Sequence, residues 1–278
     1  MPLTLAPEPV SPFPTPWHTS GVPTAAEPSR VERVGDTARR PFERWTPAVH
    51  AFLHHLRSVG VTEVPMPLGV DECGREVVEW IPGDPGPGWE NVVPERGLEA
   101  MARLLRRLHE SSRGFALPEG MSWADTTAPR TAEAVCHGDF GPWNIAWRDG
   151  RPVGVFDWDL AYAGDPLDDV AYALDYVAPF RTDELAVEWL GYPGPPDRAA
   201  RIRAFWAAYS GDPATPAVVE QLVDAVIARQ RRTRVLATRL GREGVEPQAT
   251  WLREGRERLW DEQLQWALTH RAAILSAA

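Results

Sequence analysis

An α+β chain of two unequal lobes, a small β-rich one followed by a larger and mainly helical one, is what three features of the sequence predict. Short strand-like runs flank one helical pattern between residues 31 and 80. The stretch Pro82-Gly83-Asp84-Pro85-Gly86-Pro87-Gly88 can be neither helix interior nor central strand, because proline removes a backbone donor and glycine loses the most conformational freedom on ordering. Beyond it, apolar residues recur at helical spacing almost to the end. The expected divisions are a Pro-rich irregular arm over residues 1–30, a β-rich lobe over 31–82 and a helical lobe over 83–278.

The elements follow in order. Residues 1–30 carry eight prolines and little periodicity, the composition of an irregular arm. Val31 to Val34 and Ala38 to Arg40 flank Gly35-Asp36-Thr37, a hairpin turn between short strands. Trp45-Thr46-Pro47 opens a helix with Thr46 as the expected N-cap and Pro47 in the first position. Val49, Phe52, Leu53 and Leu56 form its apolar stripe, and Gly60 ends it. Pro67 to Val70 and Glu76 to Trp80 make a second hairpin. Leu98, Met101, Leu105 and Leu108 then line a helix ending near Glu110. Ala134-Val135-Cys136 is a short strand, and Asn144 to Trp147 with Pro152 to Phe156 forms a third hairpin. Long helices are expected over roughly 198–209, 215–241 and 248–276.

Composition narrows the function classes. Hydrophobic residues make up 44% and charged residues 24% of the 278, the balance of an ordinary globular protein. No apolar run approaches the roughly 20 residues that cross a bilayer, and the start lacks the pattern of a secretory signal, so no membrane partner is expected. A net charge of −10 argues against nucleic acid, which selects for a basic face. The two cysteines, Cys73 and Cys136, have no metal-ligand spacing and read as reduced thiols in the cytoplasm. All 29 basic residues are arginine, which excludes a lysine Schiff base or a lysine phosphate clamp.

The chemistry concentrates in His137-Gly138-Asp139-Phe140-Gly141-Pro142-Trp143-Asn144 and Val155-Phe156-Asp157-Trp158-Asp159. Phosphoryl transfer to an alcohol needs a carboxylate near the hydroxyl and hard oxygen ligands for the metal ions on the nucleotide. Asp139 with Asn144 five residues on has the spacing H-x-D-x-x-x-x-N, which puts a base and an amide on one short loop. The hairpin that follows returns the chain and delivers Asp157 at a strand end beside Asn144. Any one of the three residues alone is as readily a turn or cap residue; their joint order points to catalysis.

The segment from His137 to Ala171 resembles the aminoglycoside phosphotransferase family. Its motif is close to H-G-D-x-x-x-x-N, then D-W, then G-D-P-x-x-D-x-A, the last being Gly164-Asp165-Pro166-Leu167-Asp168-Asp169-Val170-Ala171 here. The resemblance implies the two-lobed protein-kinase-like fold, Asp139 as catalytic base, and Asn144 and Asp157 as Mg2+ ligands. It further implies His137, Gly138, Asp165 and Asp169 as supports of the loop. ATP or GTP would be the donor, with the adenine or guanine met by main-chain groups at the interlobe hinge, where Glu79 to Ile81 lie. Trp143, Trp158 and Asp159 flank the site as candidate pocket lining.

Three departures from that pattern bear on activity. With no lysine available, Arg40 is the candidate phosphate ligand; the competing reading has Arg39 and Arg40 solvating an edge strand. The helix from Thr46 to Gly60 carries no glutamate to pair with it, and His50 there reads as a packing or solvent-facing residue. Gly21 to Arg30 holds no Gly-rich phosphate loop. Elsewhere, Arg229, Arg231, Arg232 and Arg234 read as a solvated or acid-paired helix face, and His109 as a packing or capping residue. The expected activity is transfer of a γ-phosphate to a hydroxyl of a small molecule. That molecule would be cationic if acidic residues such as Glu220, Asp224 or Glu257 face the pocket rather than ordinary solvent. The alternative is a catalytically impaired kinase-like binding or regulatory module.

Overall fold

The computed structural model describes residues 31–84, 86–126 and 133–277. The expected Pro-rich arm and the region searched for a glycine loop, residues 1–30, lie outside the described residues.

The first elements are β1 (Glu32–Val34), β2 (Thr37–Arg40), α1 (Thr46–Ser58), β3 (Pro67–Val70) and β4 (Glu76–Glu79). They form a four-stranded antiparallel sheet in the order β1-β2-β4-β3. In that register Arg40 lies opposite Glu76 and Thr37 opposite Glu79. Helix α1 begins at Thr46, one residue earlier than a Thr46 cap requires. The threonine hydroxyl instead accepts from the Glu43 N–H at 2.9 Å, and Pro47 occupies the first turn, where its missing donor costs nothing.

The Pro/Gly stretch runs directly over the neighbouring hairpin. Asp84 exchanges backbone hydrogen bonds with Trp147 at 2.9 and 3.1 Å. A Cβ on Gly83 would meet the Ala146 side chain at 2.8 Å, and one on Gly88 would meet the Pro142 carbonyl at 2.5 Å. Close approach of two backbones, not flexibility alone, explains glycine at both positions. Helix α2 (Trp89–Val92) and helix α3 (Glu95–Ser112) follow.

Next come β5 (Ala134–Cys136), β6 (Ile145–Arg148), β7 (Arg151–Val155) and β8 (Tyr162–Gly164). β6 pairs with β7, and β5 with β8, both antiparallel. The rest is helical: α4 (Leu167–Val177), α5 (Asp183–Leu190), α6 (Arg198–Ser210), α7 (Pro216–Arg242), α8 (Gln248–Arg253) and α9 (Glu257–Ser276). The single helix expected over 248–276 is therefore two. Gly255, at φ +70°, turns the chain between them, and a positive φ cannot continue a right-handed helix.

One apolar core joins both parts of the chain. Phe52, Leu53 and Leu56 of α1 belong to one buried cluster with Leu98, Met101 and Leu105 of α3 and with Val223 and Val226 of α7. Burial of such side chains is worth about 1.5–3 kcal/mol each, and the sheet lobe thereby shares its core with the helical lobe. Among the described residues no helix is long and apolar enough to cross a membrane.

Candidate active site

The site is built around a loop between β5 and β6 and the exit of β7. Asp169, at the start of α4, is fully buried and accepts three hydrogen bonds: from the His137 N–H at 2.6 Å, the Gly138 N–H at 2.9 Å and His109 Nε2 at 3.1 Å. Burial alone raises a carboxyl's pKa, but the hydrogen bond from His109 and those from the loop outweigh it and hold Asp169 below the usual carboxylate range. One anchored carboxylate thus shapes the turn. Gly138 has φ +82°, and a Cβ there would lie 2.0 Å from the Leu160 carbonyl. Only glycine fits. Asp165 closes the adjoining turn by accepting from the Leu167 N–H at 2.8 Å.

His137 links the two halves of the site. Its Nδ1 accepts from the Asp139 N–H at 3.2 Å, so Nε2 carries the proton and donates to the Phe156 carbonyl at 3.0 Å. Burial pushes the imidazole pKa down, which keeps this neutral tautomer. The ring packs against Trp158 at 4.5 Å between centroids. One side chain therefore fixes the backbone of Asp139 and the residue just before Asp157.

The Asp139 carboxylate accepts from Asn144 Nδ2 at 2.9 Å and from the Tyr172 hydroxyl, with Trp143 a further donor. Burial dominates, and the Asp139 pKa is pushed up to about 7 despite these donors and with help from the nearby Asp157 charge. Asn144 spends its amide N–H on Asp139, leaving Oδ1 with no donor among the described residues. Phe156 donates its N–H to the Asn144 carbonyl at 3.0 Å, which places Asp157 one residue beyond the partner of Asn144, just outside the β6–β7 pairing. Asp157 has φ +61°, rare for a residue with a Cβ, and its side chain is 48% exposed.

The Arg40 corner departs most from expectation. Arg40 is no edge-strand solvating residue. Its guanidinium reaches Glu76 at 2.5 Å, Asp157 at 3.3 Å and Asp159. Burial opposes the charge, but these carboxylates, Asp159 foremost, raise the arginine pKa further. Asp159 also accepts from Trp45 Nε1 at 3.4 Å; burial lifts its pKa to about 6 in spite of Arg40. The missing helix glutamate has a substitute on the sheet. Glu76, directly across from Arg40, receives His50 of α1 at 2.7 Å, so His50 is neither a packing nor a solvent-facing residue.

Other expectations are corrected by burial. Trp158, expected to line the pocket, is 2% exposed and lies in the core behind His137, its Nε1–H donating to the Val155 carbonyl at 3.1 Å. Trp143 is also buried, in a cluster with Trp89, Tyr172 and Tyr176, and borders the site through its donation to Asp139. At the hinge, Glu79 and Trp80 donate their N–H groups to Met66 and Asp36 at 2.9 and 2.8 Å, so of the three residues only Ile81 keeps an uncommitted N–H among the described residues. Arg229 is no solvated-face residue: it is 3% exposed, donates to the Gly138 carbonyl and stacks 4.9 Å over Tyr172. Arg232 pairs with Asp125 and Asp168, and Arg234 with Asp261. Glu220 and Asp224 are held by Arg271.

Tyr172, Glu76 and Arg229 were not legible as site residues. Tyr172 had a usable signal, since it follows Asp169 by three positions and so shares its helix face. His109, Cys136 and Asp169 bring three ligand-type atoms together, but Asp169 is already saturated by N–H donors and burial pushes the Cys136 thiol pKa well up. That cluster is structural.

The small antiparallel sheet that carries Arg40, the base–amide loop and the Asp at the exit of β7 together give the two-lobed protein-kinase-like fold expected from the sequence. The comparison with solved structures agrees on the fold: a choline/ethanolamine kinase family protein from Mesorhizobium loti superposes with a TM-score of 0.55 over 89% of this chain and 88% of that one, at 19% identity. Residues 116–214 match the model of the phosphotransferase enzyme family, a span that contains the loop, the β6–β7 hairpin and helices α4 to α6. The likeness to the aminoglycoside phosphotransferase family read from the sequence is thereby borne out. Among characterised proteins, the trifolitoxin immunity protein of Rhizobium leguminosarum bv. trifolii is 37% identical over 139 residues, 47% of this chain and 51% of that protein. Viomycin phosphotransferase of Streptomyces vinaceus is 47% identical over 47 residues, 16% of each chain. The chain thus matches about half the length of the first relative and a sixth of the second.

Proposed function

We propose that this protein transfers the γ-phosphoryl group of ATP or GTP to a hydroxyl of a small molecule. Asp139 orients the acceptor hydroxyl and takes its proton. A carboxyl with a pKa near 7 can do both at neutral pH, being substantially ionised yet basic enough to accept. Tyr172, Trp143 and Asn144 fix its direction. Asn144 Oδ1 and the half-exposed Asp157 carboxylate have the hard-oxygen chemistry that Mg2+ requires. When bound there, Mg2+ supplies neutralisation of the phosphoryl charge. Arg40 and the Ile81 N–H are the remaining donors for the nucleotide, toward its phosphates and its base. A nucleoside triphosphate donor fits the cytoplasmic location expected from the reduced thiols.

The observation that carries this reading is the His137 bridge, which holds the base and the residue before Asp157 in one rigid unit. Incubation with labelled nucleotide, magnesium and an acceptor panel tests it. Transfer that disappears in Asp139→Asn is expected; transfer undiminished in that variant refutes the base assignment.

A second reading, a protective binding module without turnover, draws on Arg40, whose charge is shared among three carboxylates. It draws also on the relative named for immunity. Thermal shift separates the two. Stabilisation by millimolar nucleotide with magnesium supports the enzyme, since a ligand of the native state must raise its stability; no shift favours the module.

A further inference from the structure

Arg229 of α7 reaches the catalytic loop from the helical lobe. It is buried, donates from Nη2 to the Gly138 carbonyl and lies 4.9 Å over the ring of Tyr172. Its Nε and Nη1 atoms are buried with no hydrogen-bond partner among the described residues. Asp169, the carboxylate that acts on it through space, is already spent on His109 and two loop N–H groups, and the charge of Arg232, one turn along α7, repels it. Asp139 is joined to it only through the Tyr172 hydroxyl. A buried cation with one hydrogen bond and no ion pair among the described residues stabilises a fold poorly. Its unmade bonds cost free energy, and an apolar side chain of similar volume often does as well or better. Packing alone does not account for arginine here.

Both contacts of Arg229 end on the base. The Gly138 carbonyl belongs to the peptide that leads into Asp139, and the Tyr172 hydroxyl donates to Asp139 Oδ1. A carboxylate offers about four acceptor sites. Asn144 takes one on Oδ2 at 2.9 Å, Tyr172 one on Oδ1, and Trp143 a third. One is left for an acceptor hydroxyl, and the placing of these donors decides which way it points. Tyr172 meets Trp143 and Tyr176 at 6.3 and 5.4 Å between ring centroids. Arg229 supplies a further hold on the ring. Its positive charge there also draws electron density from the phenol and makes the hydroxyl a stronger donor.

We infer that Arg229 is a positioning residue for the base: by holding the Gly138 carbonyl and the Tyr172 ring together, it fixes the lone pair of Asp139 that faces the acceptor hydroxyl. The inference rests on the phosphotransferase reading and adds to its machinery a residue of α7, far from the motif in sequence. It also explains why an arginine stands where stability alone would be served by an apolar side chain.

The test uses ATP and magnesium with water as the acceptor: water gives its proton to Asp139 and its oxygen to the γ-phosphorus, and ADP leaves. Steady-state phosphate release is measured for wild type, Arg229→Met, Arg229→Lys, Tyr172→Phe and the double variant Arg229→Met/Tyr172→Phe, each beside a thermal melt. Arg229→Met is expected to lower kcat about tenfold to 10²-fold, with the KM for ATP within about twofold and Tm unchanged or raised. Arg229→Lys, which keeps the charge and a donor toward Gly138, recovers most of that loss. The double variant falls short of the product of the two single losses, because Arg229 acts largely through Tyr172. A lowered Tm in Arg229→Met with kcat unchanged makes the arginine structural and overturns the inference, as does full additivity in the double variant. Either result leaves the phosphotransferase reading standing. Failure of that reading shows separately, as wild-type protein with no phosphate release and no nucleotide-induced thermal shift, and it takes the inference with it.

Discussion

The loop that carries Asp139 and the corner that carries Arg40 lie side by side, yet they are built on opposite plans. The loop is held by backbone groups: one buried carboxylate, Asp169, takes two consecutive N–H groups, and one imidazole bridges a backbone N–H and a carbonyl. The Arg40 corner is held by side chains alone, four charged groups drawn from two strands and the β7 exit. Backbone-held geometry demands particular residues at fixed spacing. An ion network demands only compatible charge, and can be assembled from whatever elements happen to meet.

If that contrast is right, substitutions in the two regions should fail differently. The largest effect is expected for Asp139→Asn, a loss of about 10³-fold or more in kcat/KM with the fold retained, measured by steady-state kinetics beside circular dichroism. Gly138→Ala comes next. Its left-handed φ costs about 1–2 kcal/mol and the clash with Leu160 about 1–3 more, so chemical denaturation should show a loss of roughly 2–5 kcal/mol. Stability unchanged there would mean that the loop is not backbone-locked. Arg40→Met should cost about 2–3 kcal/mol, at or below the usual range for breaking a buried pair because Asp157 is half exposed, and Glu76→Gln made in addition should restore part of it. A double-mutant cycle with no coupling between these two sites would dissolve the network.

A smaller effect concerns pH. The Asp139 pKa is raised in the folded state, so between about pH 4 and pH 7 the folded form binds more protons than the unfolded one. The contribution of Asp139 to stability should therefore fall as pH rises through that window. Asp139→Asn removes this one contribution, and its stability relative to wild type should increase from pH 4 to pH 8 in denaturation series; a constant difference would mean that Asp139 titrates normally.

The same contrast explains what the sequence could reveal. His137, Gly138, Asp139, Asn144, Asp165 and Asp169 were readable because a tight loop fixes residue type and spacing together. The third hairpin and the Pro/Gly passage were readable from turn chemistry. Glu76 was not, since nothing local sets the register that puts it opposite Arg40. Arg229 looked like surface because an arginine-rich helix run gives no sign of which turn faces inward. Trp158 sits beside the motif in sequence but behind it in space, where His137 needs a wall. The break at Gly255 was missed because apolar periodicity continues on both sides of it.

The rate of phosphoryl transfer as a function of pH, compared between wild type and Asp139→Asn, tests the assignment of Asp139 most directly. The wild-type rate should rise about tenfold from pH 6 to pH 8 with an apparent pKa near 7, and the variant should be inactive across the range. A flat wild-type profile, or a variant that keeps its activity, would contradict the account.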